Sequence, residues 1–342
     1  MSLKSLLGRF SLRRRRARRA FEQSIDEAAS IVSSADDSPD RSRRLHETLI
    51  ESLRHGAEAF GPASVELTAP LYALAAHELS QERLADAKSH AAELVAIANA
   101  SPSAMKEPTM VAVRGLAAAI ASRADPAGTQ TKVAFEAWAQ EAETAGDTEG
   151  AGAAWNQLAL LVARGGDRGV ASALFEKAKK HRRTAHGENG LPTLETLFNA
   201  ATYRSDVLPL DDAEADLRAV VRALEHRPES AALRSSALHN LAVLREERGD
   251  PDEAKLLFAR ALELLEMAHG KKNALLRPTL VRLALLHHRE GSLLLAMEAY
   301  DRAHEIAAKE LGSEHPIAIA INAWKTELSE GVGPGAIERG LA

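Results

Sequence analysis

Four polar residues recur at a near-constant interval: Gln157, Asn199, Asn240 and Arg282, which lie 42, 41 and 42 residues apart. A primary amide carries both a donor and an acceptor. Three amides in register can therefore pair with the N–H and C=O groups of an extended peptide. A guanidinium closing the row can hold a carboxylate bidentately. A second recurring set, Arg164, Asp206, Glu247 and Arg289, mixes signs. It would either set charge selectivity for a ligand or pair neighbouring surface elements.

Catalytic chemistry finds little support. The sequence has no G-x-x-x-x-G-K-[ST], no H-E-x-x-H and no G-x-S-x-G. His287 and His288 point in different directions on a helix, and Asp301 with His304 lacks the further ligands a metal needs. Gly331, Gly333 and Gly335 follow a helix, not the strand of a phosphate-binding loop. Zero Cys excludes disulfides, thiolate zinc sites and Cys nucleophiles, and fits a reducing cytoplasm. The chain is expected to be no enzyme and to need no metal or cofactor.

The N-terminus offers different chemistry. Lys4, Arg9, Arg13, Arg14, Arg15, Arg16, Arg18 and Arg19 fall in the first 20 residues without one acid. The formal net charge of −5 thus divides into +8 for residues 1–20 and −13 for residues 21–342. Leu3, Leu6, Leu7 and Phe10 follow the i, i+3, i+4, i+7 spacing of one helix face. A basic amphipathic arm of this kind suits an anionic membrane surface or a partner. Docking on the acidic body and a plain solubilising tail are the other readings. Nucleic acid is disfavoured, because no aromatic residues interleave the basic block. No apolar run is long enough to span a membrane, and the expected location is the cytoplasm, with peripheral membrane association through the arm.

The elements that position these residues show in the alanines. Ala87, Thr129, Ala171, Ala213, Ala254 and Ala296 are spaced by 42, 42, 42, 41 and 42 residues. Twelve positions before each, and before Leu45 of a weaker first unit, stand Ala75, Ala117, Ala159, Ala201, Ala242, Ala284 and Ser33. Small residues at fixed offsets let two antiparallel helices approach closely across a short turn. The packing pairs of the first helices are all apolar: Ala29/Val32, Leu71/Leu74, Val113/Leu116, Trp155/Leu158, Leu197/Ala200, Leu238/Leu241 and Leu280/Leu283. In a chain that is 45% apolar, fourteen of fourteen arises by chance with a probability on the order of 10⁻⁵, or roughly 10⁻³ after a free choice of phase, so the repeat is a strong signal.

These units resemble the tetratricopeptide repeat (TPR). Their length exceeds that family's usual period of about 34 residues. It is similar to the kinesin-light-chain-like subclass, whose helices are joined by a Leu-Gly…His-Pro connection. Leu311, Gly312, His315 and Pro316 match it; Phe60-Gly61-Pro62, His186-Gly187 and His269-Gly270 match in part. The resemblance implies an all-α, right-handed superhelical solenoid of about seven helix-turn-helix repeats with a C-terminal capping helix. Units are expected near 21–60, 66–102, 108–146, 150–187, 192–228, 234–270 and 276–312. A last helix is expected at 315–330 and a flexible tail at 331–342.

The resemblance also implies that first helices line a concave groove, which puts Gln157, Asn199, Asn240 and Arg282 in it. In the N-terminal units that face is small and apolar, with Ala73, Ala76, Leu79 and Gly115, and would suit a partner's hydrophobic helix. The function expected is that of an adaptor or scaffold binding an extended peptide or helix of a partner protein. The alternative is a regulator that senses a small signalling peptide. Oligomeric state is left open by the sequence.

Overall fold

The computed structural model describes residues 3–34, 38–204 and 210–331, with side chains for 12–34, 38–203 and 211–331. All regular elements among the described residues are helical. The chain forms two compact units, residues 1–185 and 186–342.

The first unit holds α1 (Leu3–Ser33), α2 (Pro39–Phe60), α3 (Thr68–Ser80), α4 (Leu84–Ala100), α5 (Glu107–Ala124), α6 (Thr129–Thr144), α7 (Thr148–Arg164) and nearly all of α8 (Arg168–His186). The second holds α9 (Leu191–Arg204), α10 (Leu210–Ala223), α11 (Ala231–Glu247), α12 (Pro251–His269), α13 (Arg277–Arg289), α14 (Leu293–Leu311) and α15 (Pro316–Ser329). Each odd-numbered helix up to α13 pairs with the even one after it, and α15 packs on α14.

Local chemistry sets the helix ends. The Asp147 and Asp250 carboxylates accept from the N–H groups of Gly150 and Glu253, capping α7 and α12. Pro251 takes the first turn of α12, where its missing N–H costs nothing. The Leu-Gly…His-Pro connection has the same logic. Gly312 ends α14 at φ 96°, a conformation a Cβ would strain. His315 Nδ1 then accepts from Ile317 N at 3.2 Å, and Pro316 opens α15.

The alanines do what their spacing requires. Ala75, Ala87, Ala159, Ala242, Ala254, Ala284 and Ala296 are each 0% exposed. Of the packing pairs from the second hairpin onward, all are buried except Leu283, which is half-buried. Fully buried aromatics, Phe175, Phe258, Tyr300 and Trp324, fill the wider gaps. One polar link is also buried: Glu78 on α3 is 0% exposed, with its carboxylate 2.8 Å from His90 on α4 and 3.9 Å from His46 on α2.

The structure departs from the sequence expectation at several positions, among them Ala117, which is half-buried where the adjacent Ala118 is fully buried. In the first hairpin Ser24, Ala28 and Ile31 are buried, while Ala29 and Val32 are exposed. The helix is rotated by one residue, because Ser33 and Leu45 provide no close-approach pair to fix it. In the third hairpin the small inward residue is Thr131, 1% exposed, and Thr129 is exposed. Here α5 runs on to a turn at Asp125, whose backbone oxygen accepts from the Thr131 hydroxyl at 2.6 Å. At the N-terminus, α1 runs unbroken through residues 20 and 21, so the basic arm and the first repeat helix are one element. The 332–342 tail and residues 35–37 lie outside the described residues.

Candidate functional site

The first helices of the second unit carry the polar column. Asn199 stands on α9, Asn240 on α11 and Arg282 on α13, and all three are partly exposed. Each precedes an inward packing residue, Ala200, Leu241 and Leu283 respectively. One step along an α-helix turns a side chain by about 100°, which carries it off the core. The structure joins the column laterally. Asn240 Nδ2 donates to Thr202 Oγ1 at 2.8 Å, and Thr202 lies one turn beyond Asn199 on the neighbouring hairpin.

The charged end is built around Glu246. Its carboxylate lies 2.6 Å from the Arg289 guanidinium and 3.6 Å from that of Arg282. Arg289 holds it by a hydrogen bond. Arg282 stands at ion-pair distance, with its side chain 26% exposed. The α11 partner of Arg289 is Glu246 rather than Glu247, whose side chain is exposed. Arg289 thus pairs with a residue of the neighbouring hairpin that lies outside the second column.

His239 adjoins Asn240 under this face. Its Nδ1 lies 2.9 Å from Thr279 Oγ1 and its ring meets Phe258 edge-on at 5.2 Å. Burial pushes its pKa down to about 4, and the Arg282 charge acts in the same direction. The ring is therefore neutral at physiological pH, and it is a support for the face rather than a charge on it.

Thr202, Glu246 and His239 were not singled out by the repeat arithmetic. The signal available was local: Thr202 is three residues beyond Asn199, and Glu246 lies one helical face round from Glu247.

Gln157 and Arg164 lie on α7 of the first unit, and both are exposed. Gly115, expected on the open face, is instead a packing device. A Cβ there would sit 3.1 Å from the Trp138 ring of α6, so glycine makes room for the indole. Ala73 is exposed, and Ala76 and Leu79 are half-buried. Asp206 lies outside the described residues.

On α1, Arg13, Arg14, Arg15 and Arg16 are all exposed, while Ala17 is buried. Arg13 lies 3.9 Å from Glu58 of α2, and Arg18 sits over the Phe60 ring at 5.8 Å. The helix carrying the block is thereby fastened to α2. Leu3, Leu6, Leu7 and Phe10 fall within α1, and their side chains lie outside those described. No group of three or more His, Asp or Glu among the described residues could hold a metal ion. No helix among them is long and apolar enough to cross a membrane.

No family model and no curated protein matches this sequence. Among solved structures, BtubC (BKLC) from P. vanneervenii gives a TM-score of 0.53 at 15% identity, over 76% of this chain and 92% of its own. A Rap protein complexed with Competence and Sporulation Factor gives 0.52 at 15% identity, over 93% of this chain and 83% of its own. Both are TPR-like repeat proteins, and this chain has the same all-α, TPR-like solenoid fold. At such identity the likeness carries the fold and nothing further.

Proposed function

We propose that the protein is a non-enzymatic adaptor or scaffold that captures an extended peptide of a partner protein on the first-helix face of its second unit. Asn199 and Asn240 would pair with the peptide backbone, and Arg282 with an acidic group. The observation that carries this is the lateral Asn240–Thr202 hydrogen bond beside the Arg282–Glu246–Arg289 cluster. It fixes the Asn240 amide at the surface, with the Arg282 guanidinium at ion-pair distance from Glu246 on the adjacent first helix. A ligand meets side chains already held, and so loses less entropy in ordering them. Gln157 and Arg164 occupy the corresponding repeat positions on α7 and belong to the same proposal, to be tested singly in the first unit.

The alternative is a regulator sensing a signalling peptide. It draws support from the solved Rap protein, whose crystal holds Competence and Sporulation Factor. Pulldown with mass spectrometry identifies the ligand. Asn199→Ala with Asn240→Ala should then weaken its capture about tenfold, the worth of one or two hydrogen bonds. Capture at wild-type strength by the folded double variant would end the proposal.

Recruitment through the arm is a second, separate reading. It rests on the exposure of Arg13, Arg14, Arg15 and Arg16 on a helix fastened to α2. Each basic residue near an anionic bilayer contributes about 1 kcal/mol, so the block is sufficient for reversible attachment.

A further inference from the structure

A pocket of about 240 Å³ opens between α10, α11 and α12, and none of the first-helix polar column lines it. Its floor is apolar, made by Leu238, Leu241 and Leu257. Around the floor stand Arg218, Arg222, Arg234 and Arg260, with Glu225 the sole carboxylate among the lining residues. Arg218 is committed to Glu214 and Glu253, at 2.8 Å each. The other three outnumber their counter-charge. Glu225 is 3.5 Å from Arg234 and 3.6 Å from Arg260, and Arg222 is exposed. Arg234 is 7% exposed; its Nη1 donates to the Glu225 backbone oxygen, while its Nε is buried without an acceptor. A buried donor in that state costs stability, and it is a place for an anion to accept.

The next repeat contains the same pocket with different chemistry. Between α12, α13 and α14, Ala259, Leu262, Glu263, Glu266 and Arg302 stand where the first pocket has Arg218, Val221, Arg222, Glu225 and Arg260. There Arg302 is paired with Glu266, and Lys271 and Arg302 face two carboxylates. Arg260 thus recurs as Arg302, but Ala259 and Glu263 replace Arg218 and Arg222, so packing of the repeat does not require those two. They are local to one pocket in one unit.

We propose that this pocket binds a carboxylate ligand with a small apolar body. The body would cover the leucine floor, and the carboxylate would lie among Arg222, Arg234 and Arg260. Arginine forks match a carboxylate in geometry as well as charge, and a volume of about 240 Å³ suits a small apolar group rather than a large one. A free aliphatic or aryl acid presents that chemistry. So does the last residue of a peptide ending in leucine.

Isothermal titration of the full chain distinguishes the possibilities. Phenylbutyrate should bind saturably and phenylbutyramide should not. Arg222→Glu and Arg260→Glu should each cut the affinity about tenfold, the loss of one charge-assisted pair. Glu263→Gln in the neighbouring pocket should leave it unchanged. Acetyl-Ala-Ala-Leu with a free carboxylate identifies the source: tighter binding than phenylbutyrate assigns a peptide terminus, and weaker binding assigns a free acid. Equal binding of acid and amide would overturn the proposal. So would no saturable binding of either acid below about 10 mM, or wild-type affinity in an Arg222→Glu/Arg260→Glu variant with a native circular dichroism spectrum.

Discussion

At the scale of single residues, His239 gives the clearest measurable consequence. Its pKa is held at about 4 in the fold by burial and by the Arg282 charge, against about 6.5 in the unfolded chain. Above pH 6.5 the ring is neutral in both states and costs nothing. As pH falls from about 6.5 towards 4 the unfolded chain takes up a proton that the native state refuses, so stability drops. By pH 4.5 that loss is about 2.5 kcal/mol. Urea unfolding at pH 7.5 and 4.5 should show a His239→Gln variant losing less stability than wild type by about that amount. An identical loss would place the titration elsewhere. Asn240 behaves differently. Its bond to Thr202 is at the surface, so Asn240→Ala should lower stability by no more than about 1 kcal/mol while lowering partner capture.

At the scale of elements, close approach decides. Gly56 of α2 is buried, and a Cβ there would lie 2.5 Å from Leu67 and 2.9 Å from the Phe21 ring. Gly56→Ala should therefore destabilise the first hairpins by about 1–3 kcal/mol, read as a lower midpoint in thermal unfolding. A rise in stability would contradict the packing described. The same principle explains what the sequence could reveal. Alanines at helix crossings are irreplaceable by larger residues, so Ala254, Ala284 and Ala296 kept the period visible. Thr131 was missed because α5 runs on to a turn at Asp125, which moves the inward position two residues past Thr129 and lets the Thr131 hydroxyl bond the Asp125 oxygen. The one-residue rotation of α1 had no anchor to betray it. The polar column was legible because it repeats. Its partners Thr202 and Glu246 were not, because they belong to contacts between hairpins rather than to the repeat, and the arginine pocket occurs in one repeat only.

At the scale of the whole molecule, charge is divided along the chain: basic residues fill the start of α1 and acidic ones dominate the rest. Reversing Arg13, Arg14, Arg15 and Arg16 to glutamate keeps the helix and its buried Ala17, where deletion would shorten the element that packs on α2. That variant should lose flotation with phosphatidylserine vesicles, and the wild type should release them as salt rises past a few hundred millimolar. Wild-type protein that never floats would end the membrane reading. Circular dichroism of either form should be overwhelmingly helical. The three tryptophans add an intrinsic optical label. Trp138 and Trp155 lie in the first unit and Trp324, 2% exposed and stacked on Tyr300, in the second. Replacing Trp138 and Trp155 by phenylalanine leaves one tryptophan, whose selectively excited emission reports the second unit alone. Its spectrum on titration with ligand then shows whether occupation of either face of that unit is felt in the last hairpin.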